Sequence, residues 1–224
     1  MSSSNYAIPS DDLSGGGGDT SASANYGLRD TAGQSVIGNG ASADFATQQG
    51  YRNGATTASL TADFVDAHNN TIVSPSASFN AIAVGDTAAA GMLATGASKI
   101  HVTNTRAIAP WSLTIAATNG PASEWRSGTH LMSFNHPSID NALTIDPSVG
   151  TITPVNLPCT ANGLSLGAAA TFDEDVTDSI TLMTAGGAAQ TQCGWDLTGV
   201  TMTQTIPQTQ APGSYSISMT ITVA

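Results

Sequence analysis

Polar and apolar positions alternate with a period of two along much of this chain, and the alternation is broken at short intervals by glycine, proline and asparagine. Leu60, Ala62 and Phe64 alternate with Thr61 and Asp63, Ile100 and Val102 flank His101, and Trp111, Leu113 and Ile115 share a face opposite Ser112 and Thr114. Successive side chains of a strand point to opposite sides, so each run reads as a strand with one apolar face. Further runs are HLMSF at 130–134, ALTI at 142–145, TITPV at 151–155, SITLM at 179–183, GWDL at 194–197 and VTMTQTI at 200–206. The final stretch, SYSISMTITV, places Tyr215, Ile217, Met219, Ile221 and Val223 on one side and Ser or Thr at every alternate position. That pattern predicts one face on a core and the other wet or paired. About nine short strands separated by turns predict an all-β fold, an antiparallel β-sandwich or jelly roll. The one segment with helical texture, DTAAAGMLATGAS at 86–98, carries Gly91 and Gly96, which weaken it as a helix.

Residues 1–54 have a different texture. The phrase SSNYAI at 3–8 returns as SANYGL at 23–28 and, more loosely, as SADFAT at 42–47. Each copy places an aromatic residue (Tyr6, Tyr26, Phe45) two positions before Ile8, Leu28 or Thr47, a spacing that puts both side chains on one face of an extended strand. Strands with so few apolar side chains cannot bury enough surface to offset the entropy of ordering, and for the same reason they do not stack into a solenoid. They are expected to dock on a host sheet. The expected organisation is therefore an extended strand-forming segment over 1–54, with Tyr6, Ile8, Tyr26, Leu28 and Phe45 as strand-donor anchors, and a sandwich domain over 55–224.

Charge narrows the partners. Sixteen acidic side chains (16 Asp and Glu) face 5 basic ones, a formal net charge of −11, so no basic stripe exists to neutralise phosphates. Nucleic acid and anionic membranes are excluded as expected partners. No apolar run is long enough to cross a membrane as a helix. The first residues carry neither a basic nor an apolar leader region, so the expectation is a chain exported after removal of a signal peptide outside this numbering. Lys99 is the only lysine, and basic cleavage points are otherwise Arg29, Arg52, Arg106 and Arg126, which suits life outside a cell. Cys159 and Cys193 suit one disulfide or two separate buried thiols. With export expected, the bridge is the favoured reading, and a loop of about 35 residues closed by it contributes about 4 kcal/mol in the chain-entropy model.

Candidate chemistry is sparse. The histidines His68, His101, His130 and His136 show no metal-ligand spacing, and no G-x-S-x-G elbow marks a nucleophile. The acidic run FDEDVTD gathers Asp173, Glu174, Asp175 and Asp178, hard oxygen ligands that make a weak calcium candidate without the spacing of an EF-hand. No other cofactor is expected. Trp125, between Glu124 and Arg126, is the tryptophan expected to be exposed and to contact glycan. Asn69-Asn70-Thr71 is a glycosylation sequon, and Lys99 is a candidate for an isopeptide link to an Asn or Asp on an adjacent strand.

The segment KIHVTNTRAIAPWSLTIAATNG at 99–120, with Trp111-Ser112-Leu113, and the closing cadence APGSYSISMTITVA resemble WxL-type cell-surface domains over about residues 60–224. Ile221 stands where the second tryptophan of that pattern falls, and another W-x-L, Trp195-Asp196-Leu197, lies about twenty residues earlier. The N-terminal S-x-N-Y repeat resembles the leading segments of exported bacterial surface proteins. These resemblances imply an extracellular, wall-associated location in a bacterium, with cell-wall polysaccharide as a partner. Together the readings predict a non-catalytic extracellular structural subunit that polymerises with itself into a pilus-like fibre or a surface layer, through β-strand addition by the N-terminal segment. The competing expectation is a wall- or glycan-binding WxL-like adhesion module.

Overall fold

The computed structural model describes residues 58–83 and 85–224 throughout, and six short strands among the first 57 residues. The chain divides into two units, Met1–Thr56 and Thr57–Ala224. In the first, β1 (Ser2–Ser3) pairs with β2 (Tyr6–Ala7), β3 (Thr20–Ala22) with β4 (Gly27–Arg29), and β5 (Asn39–Ala41) with β6 (Ala46–Gln48), all antiparallel. Each copy of the repeated phrase spans the connection of one hairpin and enters its second strand. The repeat is thus a repeat of hairpins: strands expected to need a host sheet already have a partner beside them in sequence.

The second unit is all-β and antiparallel throughout. Its strands are β7 (Leu60–Val65), β8 (Ala88–Met92), β9 (Lys99–Asn104), β10 (Trp111–Ala117), β11 (Glu124–Ser127), β12 (His130–Ser133), β13 (Asn135–His136) and β14 (Asn141–Asp146). There follow β15 (Thr151–Pro154), β16 (Leu164–Leu166), β17 (Ala170–Thr171), β18 (Ser179–Ala185), β19 (Cys193–Thr198), β20 (Thr201–Thr205) and β21 (Met219–Val223). One 3-10 turn, Pro137–Ile139, interrupts them.

The strand orders reveal the layering. One sheet runs β13-β14-β20-β8 and a second β15-β19-β9-β7. Each of β14, β20 and β8 is joined through a short break to the strand at the matching place in the other sheet: β14 to β15, β19 to β20, β8 to β9. Across the break the hydrogen bonds continue, with Leu93 N–H donating to Val200 O at 2.9 Å and Gly199 N–H to Ala94 O at 2.8 Å. The two are halves of one long bent layer. Residues 78–80 extend it beyond β8, where Phe79 bridges Gly91. The opposing layer is β16-β18-β10-β21.

The core between these layers follows the alternation. In β10 Trp111, Leu113, Ile115 and Ala117 are buried and the intervening residues only half so; β9 repeats this with Ile100, Val102 and Asn104. The 86–98 segment corrects the helical reading, because its centre is β8. Residues 78–80 run so close to that strand that a Cβ on Gly91 would lie 2.5 Å from Ser78 O, and the missing side chain of Gly91 is what permits this approach. In β18 a register shift opposite Leu113 and Thr114 turns both Leu182 and Met183 inward, as a bulge does.

Candidate functional site

The sandwich is closed on one side and open on the other. On the closed side Cys159 and Cys193 form a disulfide. The indole of Trp195 packs 5.8 Å from that of Trp111, and its Nε1–H donates to Thr160 O at 2.8 Å. Both W-x-L triplets therefore place Trp and Leu inward from facing layers, since residues two apart in a strand share a face.

On the open side two strands end their sheets, β7 in the bent layer and β21 in the opposing one. Beside them lies an apolar groove of about 850 Å³, walled largely by residues 75–83 and 206–217, reaching from Phe64, Met219 and Ile221 down to Ile145 and flanked by Phe79 and Trp125. Met219, Ile221 and Val223 lie opposite Ala117, Ile115 and Leu113 of β10. They share the core face, yet they are only half-buried while Leu113 and Ile115 are enclosed. Cover, not orientation, separates them.

The outer edge of β21 carries free backbone donors. Ala224 exchanges hydrogen bonds with Ser112, and Thr118 N–H donates to Ser218 O. In an antiparallel pair this directs the even-numbered groups of β21 toward β10 and the odd-numbered ones away from it. The amides of Met219, Ile221 and Val223 thus face away from β10, and although β7 approaches β21 to within 8 Å between Cα atoms, no strand pairs with that edge among the described residues. The β7 edge is partly capped, because Val65 bridges Thr71 and Ile72 N–H donates to Phe64 O at 2.8 Å.

The expected glycan contact is corrected. Trp125 is buried, 9% exposed, in the short strand β11. Its ring meets Phe79 edge-on at 5.6 Å and its Nε1–H donates to Gln204 Oε1 at 2.7 Å. The charged neighbours suggested exposure, but they occupy the outward positions of the same alternation. With Trp111 and Trp195 also buried, no tryptophan offers a face to a sugar ring. Of the strand-donor anchors, Tyr6 lies in β2 and Leu28 in β4, while Ile8, Tyr26 and Phe45 lie outside the described residues.

The acidic run is a tight turn rather than a cage. Thr177 N–H donates to Asp173 O at 2.7 Å, and Glu174 reaches His136 Nε2 at 2.8 Å. Among the described residues no three of His, Cys, Asp and Glu come together in a group that could hold a metal ion.

A second polar arrangement escaped the linear reading. Lys99, His101 and Thr103 share the outward face of β9, and Asp196 stands opposite His101 on β19. Lys99 Nζ donates to Asp196 Oδ2 at 2.6 Å and to Asn69 Oδ1 at 2.6 Å. His101 Nδ1 lies 2.8 Å from Asp196 Oδ1, and Thr103 Oγ1 lies 2.9 Å from His101 Nε2. The signal in the sequence was the K-x-H-x-T spacing; what it could not supply was the cross-strand partner.

Among the described residues no helix is long and apolar enough to cross a membrane. The disulfide argues for a compartment outside the reducing cytosol. No protein-family model, no curated protein and no solved structure matches the chain.

Proposed function

We propose that this protein is a structural subunit that assembles with copies of itself by strand addition along the open side of the sandwich. The observation that carries the reading is β21: an edge strand whose core-facing Met219, Ile221 and Val223 are half-buried beside an apolar groove. An unpaired edge with apolar side chains behind it is a template for another strand, and main-chain bonds to such an edge combine with pockets for alternate side chains. The N-terminal unit of a second copy is the occupant. It carries short strands, and Tyr6 and Ile8, like Tyr26 and Leu28, are apolar side chains at the two-residue spacing the groove accepts. Of the two edges β21 is the acceptor, since β7 is partly capped.

Assembly of this kind fits a fibre or layer on a cell surface, and the disulfide fits an extracellular location. The acidic balance keeps nucleic acid out of the reading. Wall or glycan binding by a WxL-like module, the alternative, keeps the acidic loop but not Trp125, which is buried.

The test compares the full chain with a variant lacking residues 2–54, by negative-stain microscopy and light scattering over a range of concentrations. Assemblies from the full chain and discrete monomers from the truncated one support strand addition. Equal assembly by both chains removes the N-terminal segment from the account.

A further inference from the structure

The row on the outer face of β9 and β19 has the connectivity of a base-activated hydroxyl. A carboxylate only accepts hydrogen bonds, so the contact of 2.8 Å between His101 and Asp196 places a proton on Nδ1. In the neutral ring Nε2 is then an acceptor, aimed at the Thr103 hydroxyl 2.9 Å away. Nucleophile, base and orienting group within hydrogen-bond reach of one another are the recurring arrangement of an activated nucleophile. Asp196 is itself fixed, because Lys99 Nζ binds its second oxygen at 2.6 Å. Gly194, opposite Thr103 on β19, makes room for the ring: a Cβ there would lie 3.2 Å from His101 Cε1. Solvent reaches the row, the His101 side chain being 21% exposed.

We infer that Thr103 is a nucleophile that accepts an acyl group from an activated ester. Thr103 Oγ1 attacks the carbonyl carbon, forming the new C–O bond while its proton passes to His101 Nε2. The bond from that carbon to the leaving oxygen breaks, and the departing alkoxide takes the proton back from Nε2. The products are an ester on Thr103 and a free alcohol, with no change of oxidation state. His101 is the base; Asp196 and Lys99 are positioning residues. The inference is independent of the groove, which lies on the inner side of the layers.

The sequence supplies a clean readout. Trypsin cuts after Lys99 and Arg106, so Thr103 falls in the peptide 100–106, whereas acylation of Lys99 itself would leave 53–106 uncut. The full chain is treated with p-nitrophenyl acetate, and nitrophenolate release is followed alongside mass mapping of the denatured digest. The expected result is a burst approaching one nitrophenolate per chain, with a single acetyl group on Thr103. Thr103→Ser keeps the label and Thr103→Val loses it, while His101→Gln slows labelling by about a hundredfold, the scale of general-base assistance. Added imidazole restores labelling in His101→Gly, and Asp196→Asn is rescued by the same addition only when His101 is also Gly; a merely structural role for the row would show neither effect. Label on Lys99, label spread over many hydroxyls, or an unchanged rate in His101→Gln would each overturn the assignment.

Discussion

The two sides of the sandwich are written in the same pattern and finished differently. On the closed side, Trp111 and Leu113 meet Trp195 and Leu197 from the facing layer, and every one of them is buried. A disulfide and an indole hydrogen bond lock the segment beneath. On the open side, Met219, Ile221 and Val223 alternate as regularly, yet all three stay half-buried, and Met219 and Ile221 line a groove. Period-two alternation specifies which way side chains point; it does not specify what covers them. The closed side completes its core within the chain, whereas the open side leaves the core-facing residues of β21 half-buried.

If that contrast is right, truncations on the two sides should act on different quantities. The largest effect on stability is expected from Trp195→Ala, which empties a fully enclosed site and should cost about 3–5 kcal/mol, read from the denaturant midpoint. Replacing Cys159 and Cys193 together by Ala should cost about 2–4 kcal/mol, with assembly of the folded fraction unchanged. Ile221→Ala, on the half-buried strand, should cost only about 1 kcal/mol in the monomer, yet light scattering should show assembly strongly reduced. A loss of stability like that of Trp195→Ala would mean that the open side is ordinary core.

The smallest expected effect lies at the turn after β7. Asp66 accepts hydrogen bonds from the Asn70 side chain and from the backbone of Asn70 and His68, and these hold its carboxyl below the ordinary carboxylate range. A depressed folded pKa stabilises the protein above the unfolded pKa, and the contribution disappears as pH falls through the folded value. Acid titration of Asp66→Asn should therefore show a slightly smaller loss of stability over that window than the parent, because an exposed carboxylate contributes little.

Much of this was legible in the chain. WSLTIAA reads as a strand with one buried face and is one, and KIHVTN likewise, because the face a side chain takes follows from local geometry alone. The second half of the final stretch became β21, but Tyr215 and Ile217 precede the strand, since pairing with β10 ends near Met219. The helical texture of the 86–98 segment misled because Gly91 serves the close passage of residues 78–80, a tertiary contact that the run itself does not show. Trp125 was misjudged because a four-residue strand gives alternation little room to show itself. The outer row stayed hidden for a third reason: Lys99, His101 and Thr103 are visible on one strand, but Asp196 joins them only through cross-strand register. Likewise the groove depends on which strands end their sheets, a property of topology that no single strand's pattern contains.

The central claim is that the edge of β21 receives a strand from another copy, and the most direct measurement is residue-resolved hydrogen exchange at Met219, Ile221 and Val223. Their amides point away from β10, so in dilute monomer they should exchange quickly while those of Thr220 and Thr222 are protected. As concentration rises, strand addition should protect all three, and removal of residues 2–54 should keep them fast at every concentration. Exchange at these amides that is independent of concentration, in a full chain that nevertheless assembles, would contradict the account.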